Sequence, residues 1–372
     1  MRDESNVATR SIAVMIIAAV VFAMAVVLIT RSSLRLSDES TLIGDEHSME
    51  WECGRVLSRT VSALSAGRLQ EASTALGLVE SLSCDKRYIE RAAVLYGEMG
   101  HHHQALRLLE PFMWDHIPDT KVISIYTSNL IKCGMRDSAA IILSTMLPPR
   151  IEDAQTVRTL AWTALELELH DLAVSLFTHA LEYDQHDSEL WRALSQVTLR
   201  SGDAHGALRA ANEAIRLSPE SIDAHIARAW AAEALDDTSL AEQSFRNALA
   251  LSPFEQRTLF EFGRYYHRAG NAAKALELLK KSTNDPECPY SWLLLRGRAE
   301  LRAGRFDEAR QTFLIADTKP GRDYHALLEV ARIDRRFRHI EEARNRALKA
   351  LKEFPGEADI ENFLSTLPTD PG

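Results

Sequence analysis

The chain has 372 residues, an ordinary apolar share of 46% and a formal net charge of -10. This composition excludes a disordered or collagen-like chain, and the negative balance argues against nucleic acid or an anionic lipid surface as the main partner. Its four cysteines, Cys53, Cys84, Cys133 and Cys288, make no CxxC pair, so neither a zinc ribbon nor a thioredoxin-like motif is available, and no metal or other cofactor is expected.

In chain order, a tail of residues 1–10 precedes SIAVMIIAAVVFAMAVVLIT at 11–30. This run is uncharged, and at ~1.5 Å per residue it predicts a helix across the ~30 Å hydrocarbon core of a bilayer. The rival reading is a cleaved signal peptide with Ala23-Met24-Ala25 as its small-residue site, but the apolar run continues to Ile29, past the usual length of such a segment. Arg2 and Arg10 before the run nearly balance Arg31 and Arg35 after it, and the free amine tips the expected topology towards a cytoplasmic N-terminus and an exported body. The expectation is a single-pass membrane protein, with residues 31–52 as a juxtamembrane linker.

Beyond the linker the chain repeats itself. Alanine recurs at 105, 139, 173, 207, 241, 275, 309 and 343, always 34 residues apart. Four residues after the alanine stand Leu143, Phe177, Phe245, Leu279 and Phe313; seven after it stand Ala180, Ala214, Ala248, Ser282, Ala316 and Ala350. Five residues before it come Gly100, Gly134, Gly202, Gly270 and Gly304, and twelve after it Pro219, Pro253 and Pro355. Glycine ends a first helix by supplying a left-handed cap, and proline fits the start of the next unit, where its missing N–H costs nothing. Alanine at the crossing lets two antiparallel axes approach to roughly 8–9 Å, and Phe or Leu one turn on fills the gap between hairpins. The predicted body is therefore all-α. Its hairpins begin near 86, 120, 154, 188, 222, 256, 290 and 324, with a degenerate first unit near 53 carrying Gly67 and Ala72; an amphipathic cap helix follows at 358–367 and a tail at 368–372.

Trp191, Leu194, Ser195, Gly202, Ala207, Ala214 and Pro219, and again Leu259, Phe262, Gly263, Tyr266, Gly270 and Ala275, resemble the tetratricopeptide-repeat family. The resemblance covers about 53–357 and implies a right-handed superhelical solenoid of about nine hairpins, preceded by the membrane helix of a bacterial-type anchored protein. Arg338 stands where glycine is usual, and Glu300 where the pattern is aromatic. The pentatricopeptide family, which reads RNA, has a period one residue longer and is disfavoured.

No GxxxxGK, GxSxG, HExxH or strand-borne GxGxxG is present, and the repeats leave no room for a catalytic domain, so no enzyme is expected. His101, His102 and His103 point in different directions on a turn and read as solvent-facing. Cys53 and Cys84 bracket the first hairpin at adjacent ends; an exported body would let them bond, and the alternative is two buried thiols. The family resemblance implies that the first helix of each hairpin lines a groove. Its ninth position holds Trp162, Gln196, Trp230, Arg264, Arg298 and Arg332, and its fifth Arg158, Arg192, Ile226, Phe260, Leu294 and Leu328. His267 and Arg335 stand at the twelfth position, and Arg200, Arg268, Arg302 and Arg336 at the thirteenth.

Residues 256–357 hold 21 Lys and Arg against 15 Asp and Glu, a balance of +6 in a chain whose total is -10. Arginine forks grip carboxylates, and Trp and Arg are frequent binding hot spots, so the expected ligand is an acidic peptide or protein segment and the expected role a scaffold for an envelope complex. Two alternatives stand beside it: an accessory subunit holding an anionic polymer such as a glycan during export, and a self-assembling structural oligomer. The plain alternative for each arginine is a solvated partner for a glutamate one turn away, and for each tryptophan a place in the core.

Overall fold

The computed structural model describes residues 46–82, 84–113, 119–148 and 150–368, and among these it is all helical, with nineteen α-helices and no strand. They fall into two compact units divided after Leu147. The first holds α1 (Glu46–Ser65), α2 (Leu69–Gly77), α3 (Lys86–Glu98), α4 (His102–Met113), α5 (Thr120–Lys132) and α6 (Arg136–Met146). The second holds α7 (Ala154–Glu166), α8 (His170–Tyr183), α9 (Ser188–Arg200), α10 (Ala204–Leu217), α11 (Ile222–Ala234), α12 (Thr238–Leu251), α13 (Gln256–Arg268), α14 (Ala272–Ser282), α15 (Tyr290–Arg302), α16 (Phe306–Ala316), α17 (His325–Arg336), α18 (Ile340–Glu353) and α19 (Ala358–Ser365). Within each unit consecutive helices pack in antiparallel pairs, the arrangement expected of a solenoid of helical hairpins.

The turn inside each pair is set by one left-handed residue. Gly100, Gly134, Gly202, Gly270 and Gly304 take positive φ, and so do Glu168, Asp236 and Arg338 at the same phase of the repeat. The residue after each returns a hydrogen bond to the carbonyl five back, as Asp203 N to Thr198 O and His339 N to Asp334 O, both closing the first helix. A second periodic signal, unread in the sequence, starts the helices. Asp119, Asp153, Asp187, Ser221 and Glu255 accept backbone N–H groups at the first turns of α5, α7, α9, α11 and α13. Asp203, Asp237 and Asn271 do the same for α10, α12 and α14.

All eight alanines of the 34-residue series are 0% exposed, as are Phe177, Phe245 and Phe313. The crossing is tight enough at α15 that a Cβ on Gly297 would come within 2.5 Å of the Phe313 ring. Glu300, where an aromatic was expected, is 0% exposed and is held by Arg296 Nε at 2.9 Å and the Thr312 hydroxyl at 2.6 Å. Asp334, 1% exposed, is similarly held between Arg310 at 3.0 Å and Arg346 at 2.6 Å. The terminal α19 covers the last pair with Ile360 and Phe363 against Ala347, Ala350 and Leu328.

The single-pass membrane localisation with an exported body is corrected: among the described residues no helix is long and apolar enough to cross a membrane, and the segment 11–30 lies outside the described residues. The longest helix, α1, has 20 residues but carries Glu50, Glu52, Arg55 and Arg59. It also takes in residues 46–52, which the pattern assigned to the linker. Of the histidine run, His103 is exposed, its Nδ1 3.7 Å from Cys133 Sγ, while His101 and His102 are half-buried: Tyr96 lies edge-on to His101, and His102 Nδ1 lies 2.9 Å from Asn129 Oδ1. In the same unit Cys53 and Cys84 are joined by a disulfide, while Cys133 and Cys288 are free.

Candidate functional site

The residues singled out by the repeat register lie on the first helices of the second unit, where side chains of successive hairpins meet. Trp162 on α7 stands edge-on to Phe177, centroids 5.2 Å apart, with the Arg192 guanidinium of α9 above it at 5.9 Å. Two repeats later the motif recurs. Trp230 on α11 stands edge-on to Phe245 at 5.4 Å and carries Arg264 and Arg268 of α13 at 4.3 and 5.7 Å. Each indole therefore has an inner edge in the core and an outer face covered by arginine from a following hairpin, an arrangement that favours cation–π attraction. The Trp230 N–H also donates to Glu261 Oε2 at 3.1 Å. Gln196, between the two motifs, is half-buried.

Most arginines in this stretch already hold a carboxylate of the chain itself. Arg158 pairs with Asp187, Arg192 with Glu189 at 2.9 Å, Arg264 with Glu261 at 2.6 Å and Arg268 with Glu233 at 3.0 Å. Burial pushes the Glu261 carboxyl above its ordinary range, and the neighbouring Arg264 and Arg257 and the indole bond work against that rise.

Towards α15 and α17 the pattern changes. Arg332 is paired with Glu329 at 2.9 Å, but Arg298 is exposed and makes no ion pair among the described residues. Arg302 donates to the His267 carbonyl at 2.7 Å, and Arg335 donates to the Thr366 hydroxyl at 2.8 Å and lies 4.9 Å over the Phe363 ring. Arg336 lies 4.5 Å over Phe306, beside a cleft of about 310 Å³ that Arg332 and Arg335 also line. The guanidiniums of Arg302, Arg335 and Arg336 rest on rings and neutral oxygens.

Two expected groove residues sit differently. Phe260 is 8% exposed, because its ring stacks at 4.5 Å on Trp292 of α15, a contact whose second member the groove register passes over. His267 is 9% exposed, and burial, reinforced by Arg302 and Arg298, pushes its imidazole below the ordinary histidine range. At the fifth position Ile226 and Leu328 are buried too, whereas Arg158 and Arg192 there are paired with Asp187 and Glu189. No group of three metal-ligating side chains occurs among the described residues.

A unit of antiparallel helical pairs with a 34-residue period, left-handed turns and small crossing residues defines a helical-hairpin repeat protein. Residues 158–222, 226–291 and 284–323 match the sequence profile of the tetratricopeptide repeat, so this part of the chain carries that repeat. The fold is similar to that of a tetratricopeptide repeat protein from Parabacteroides merdae ATCC 43184, at 13% identity and a TM-score of 0.53, over 76% of this chain and 99% of that one. The pilF protein of Pseudomonas aeruginosa is similar at 18% identity and a TM-score of 0.46, over 57% of this chain and 96% of its own. YrrB, a tetratricopeptide protein with an unusual peptide-binding site, is similar at 18% identity and a TM-score of 0.40, over 50% and 96%. At 13% identity the first of these likenesses speaks for the fold alone. No curated protein matches the chain. The fold is that of a protein–protein interaction scaffold.

Proposed function

We propose that this protein is an interaction scaffold that binds an acidic segment of a partner protein along the face made by α11, α13, α15 and α17. The uneven pairing of the arginines carries the reading. Arg264 and Arg268 hold carboxylates of their own chain, whereas among the described residues Arg298, Arg302, Arg335 and Arg336 hold none, leaving their charge for a carboxylate from outside. Trp230, already fixed on three sides, gives such a segment a rigid aromatic edge to rest against with little ordering cost.

The test uses the full chain and a fluorescein-labelled peptide of alternating Glu and Gly. The wild type is expected to bind it, and a variant with Arg298, Arg302 and Arg336 changed to Glu is expected to bind at least about tenfold more weakly, as charge reversal in an interface does. Equal affinities would sink the reading. A steep log-linear loss of affinity with salt, matched by a glycan polyanion, would point instead to a polymer ligand.

A further inference from the structure

The turn between α12 and α13 carries an apolar ring that the turn itself does not need. Phe254 is 89% exposed, the most open large apolar side chain among the described residues, and Leu251 beside it is 42% exposed. One repeat earlier the same turn closes with Glu220 in that place: Ser221 N donates to the Ser218 carbonyl at 3.1 Å, as Glu255 N does to the Ser252 carbonyl at 3.3 Å. The ring therefore serves something other than the backbone. Next to it lies a cleft of about 770 Å³ between the last turns of α12 and α14, walled by Leu249, Pro253, Leu259 and Leu278, with Phe254 lining one side. Leu278 stands where Ser244 and Thr312 stand in the adjoining repeats, so this apolar wall belongs to one hairpin and not to the repeat as such. None of the arginines of the first-helix face lines the cleft.

A single exposed apolar residue is ordinary on a protein surface, but an apolar knob beside an apolar cleft is self-complementary. A two-fold axis through such a patch sets each knob into the other copy's cleft, and both contacts form at once. The mouth permits that approach, because Glu277 and Asp285 stand there with Lys281 and the two signs are mixed. The arginine face, by contrast, repels its own copy. We infer that two copies of this chain pair across this cleft, the Phe254 ring of each entering the cleft of the other between Leu249 and Leu278. Rings that meet beside the axis also stack on one another with an offset. With one ring and one cleft from each copy the contact is small, so the pair is weak and reversible, with a dissociation constant of about a micromolar or above. The pairing lies at the loop edge of the hairpins and leaves the first-helix face open for a partner protein.

Sedimentation equilibrium of the full chain over a range of concentrations tests this. All variants keep the apolar run 11–30, so a difference between them reports the cleft. The wild type is expected to exchange between monomer and dimer. F254E, altered only at an exposed side chain, should keep the wild-type melting temperature and lose at least about a hundredfold in association constant, about tenfold for each of the two equivalent contacts. L278K, whose ammonium reaches solvent from the cleft wall, should also be monomeric, with the folding of both variants confirmed by circular dichroism. Mixed in equal amounts, F254E and L278K should recover a heterodimer, because one contact then opposes a carboxylate to an ammonium and the other is native. Should L278K fail to fold, F254E decides alone. A dimer that F254E leaves at full strength is held elsewhere and overturns the proposal. Folded single variants that dissociate and do not recover on mixing overturn the exchange of knob and cleft. A wild type that stays monomeric at every concentration overturns self-pairing and leaves the cleft to a different protein.

Discussion

The faces of α11–α13 and of α15–α17 carry arginine at equivalent places of the repeat, and the side chains beside it divide the two. On the first, Glu233 and Glu261 neutralise Arg268 and Arg264 and the guanidiniums cover Trp230. On the second, Arg332 is paired with Glu329, but among the described residues Arg298 makes no ion pair and Arg302, Arg335 and Arg336 meet a backbone carbonyl, a hydroxyl or rings. A paired guanidinium contributes to the surface of the fold, whereas one lying on a neutral group retains most of its charge for another molecule. The contrast also operates within one helix: Arg296 turns inward to the buried Glu300, and Arg298, two residues on, faces solvent.

The largest effect is expected where arginine serves the interior. Arg296→Met leaves the Glu300 carboxylate buried with only the Thr312 hydroxyl beside it, and should lower the unfolding free energy by about 3 kcal/mol. Urea unfolding measures it, and Arg296→Met combined with Glu300→Leu should recover most of the loss. If the double variant is as unstable as the single one, side-chain packing rather than charge pairing holds this hairpin. On the paired face, Trp230→Ala should cost about 2 kcal/mol, since the ring is only half-buried but loses its contact with Phe245 and its bond to Glu261. Trp162→Ala, whose ring nitrogen meets no carboxylate among the described residues, should cost less, and equal losses would show that the Glu261 bond adds nothing.

Acid should act next, through His225 and His267. Burial lowers both imidazoles below the ordinary range, with Arg228 adding to the first and Arg302 and Arg298 to the second, while a bond to the Pro219 carbonyl opposes the shift at His225. The unfolded chain then binds more protons than the folded one below about pH 6.5, so stability is full above that value and falls as pH drops through the lowered folded values. Glu261, whose carboxyl is raised, works in the opposite sense: its contribution is present at low pH and lost as pH rises through its own range. A series of urea midpoints from pH 7.5 to 5 should decline in the wild type and flatten in H225Q/H267Q. A wild-type profile with no slope would mean that the two imidazoles titrate alike in both states.

The hairpins themselves could be read because their requirements are local and recurrent. Alanine at each crossing and glycine at each turn leave a 34-residue trace, and the eight alanines are buried without exception. The capping series Asp153, Asp187, Ser221 and Glu255 has the same period and was equally legible, though it hides behind a change of residue type. The face was harder to read. Its register put Phe260 in the groove, but only the neighbouring hairpin reveals that Trp292 lies against that ring. Arg264 and Glu261 form a pair one turn apart that the sequence allows, as does Arg296 with Glu300, and nothing local says that one lies at the surface and the other inside. Burial of the pair depends on contacts between hairpins, which no periodicity records.

The smallest expected effect separates charge from placement at the cationic end. Arg338 takes φ 64 at a turn where Gly304 takes φ 74, and a non-glycine residue in that conformation costs about 1–2 kcal/mol. Arg338→Gly relieves the strain, while the greater freedom of glycine in the unfolded chain takes back about 0.5–1 kcal/mol, leaving a net gain of about 0.5 kcal/mol. The same substitution removes one positive charge two residues beyond Arg336, from a side chain with no ion pair among the described residues. At physiological salt the screening length is about 8 Å, so a loop charge outside the face acts weakly on a ligand lying along it. R338G should therefore be slightly more stable and bind the Glu-Gly peptide almost as well as wild type, while R298Q keeps its stability and loses affinity. If both substitutions weaken binding equally, the segment is drawn by net charge alone, and the distinction between paired and unpaired arginines carries no specificity.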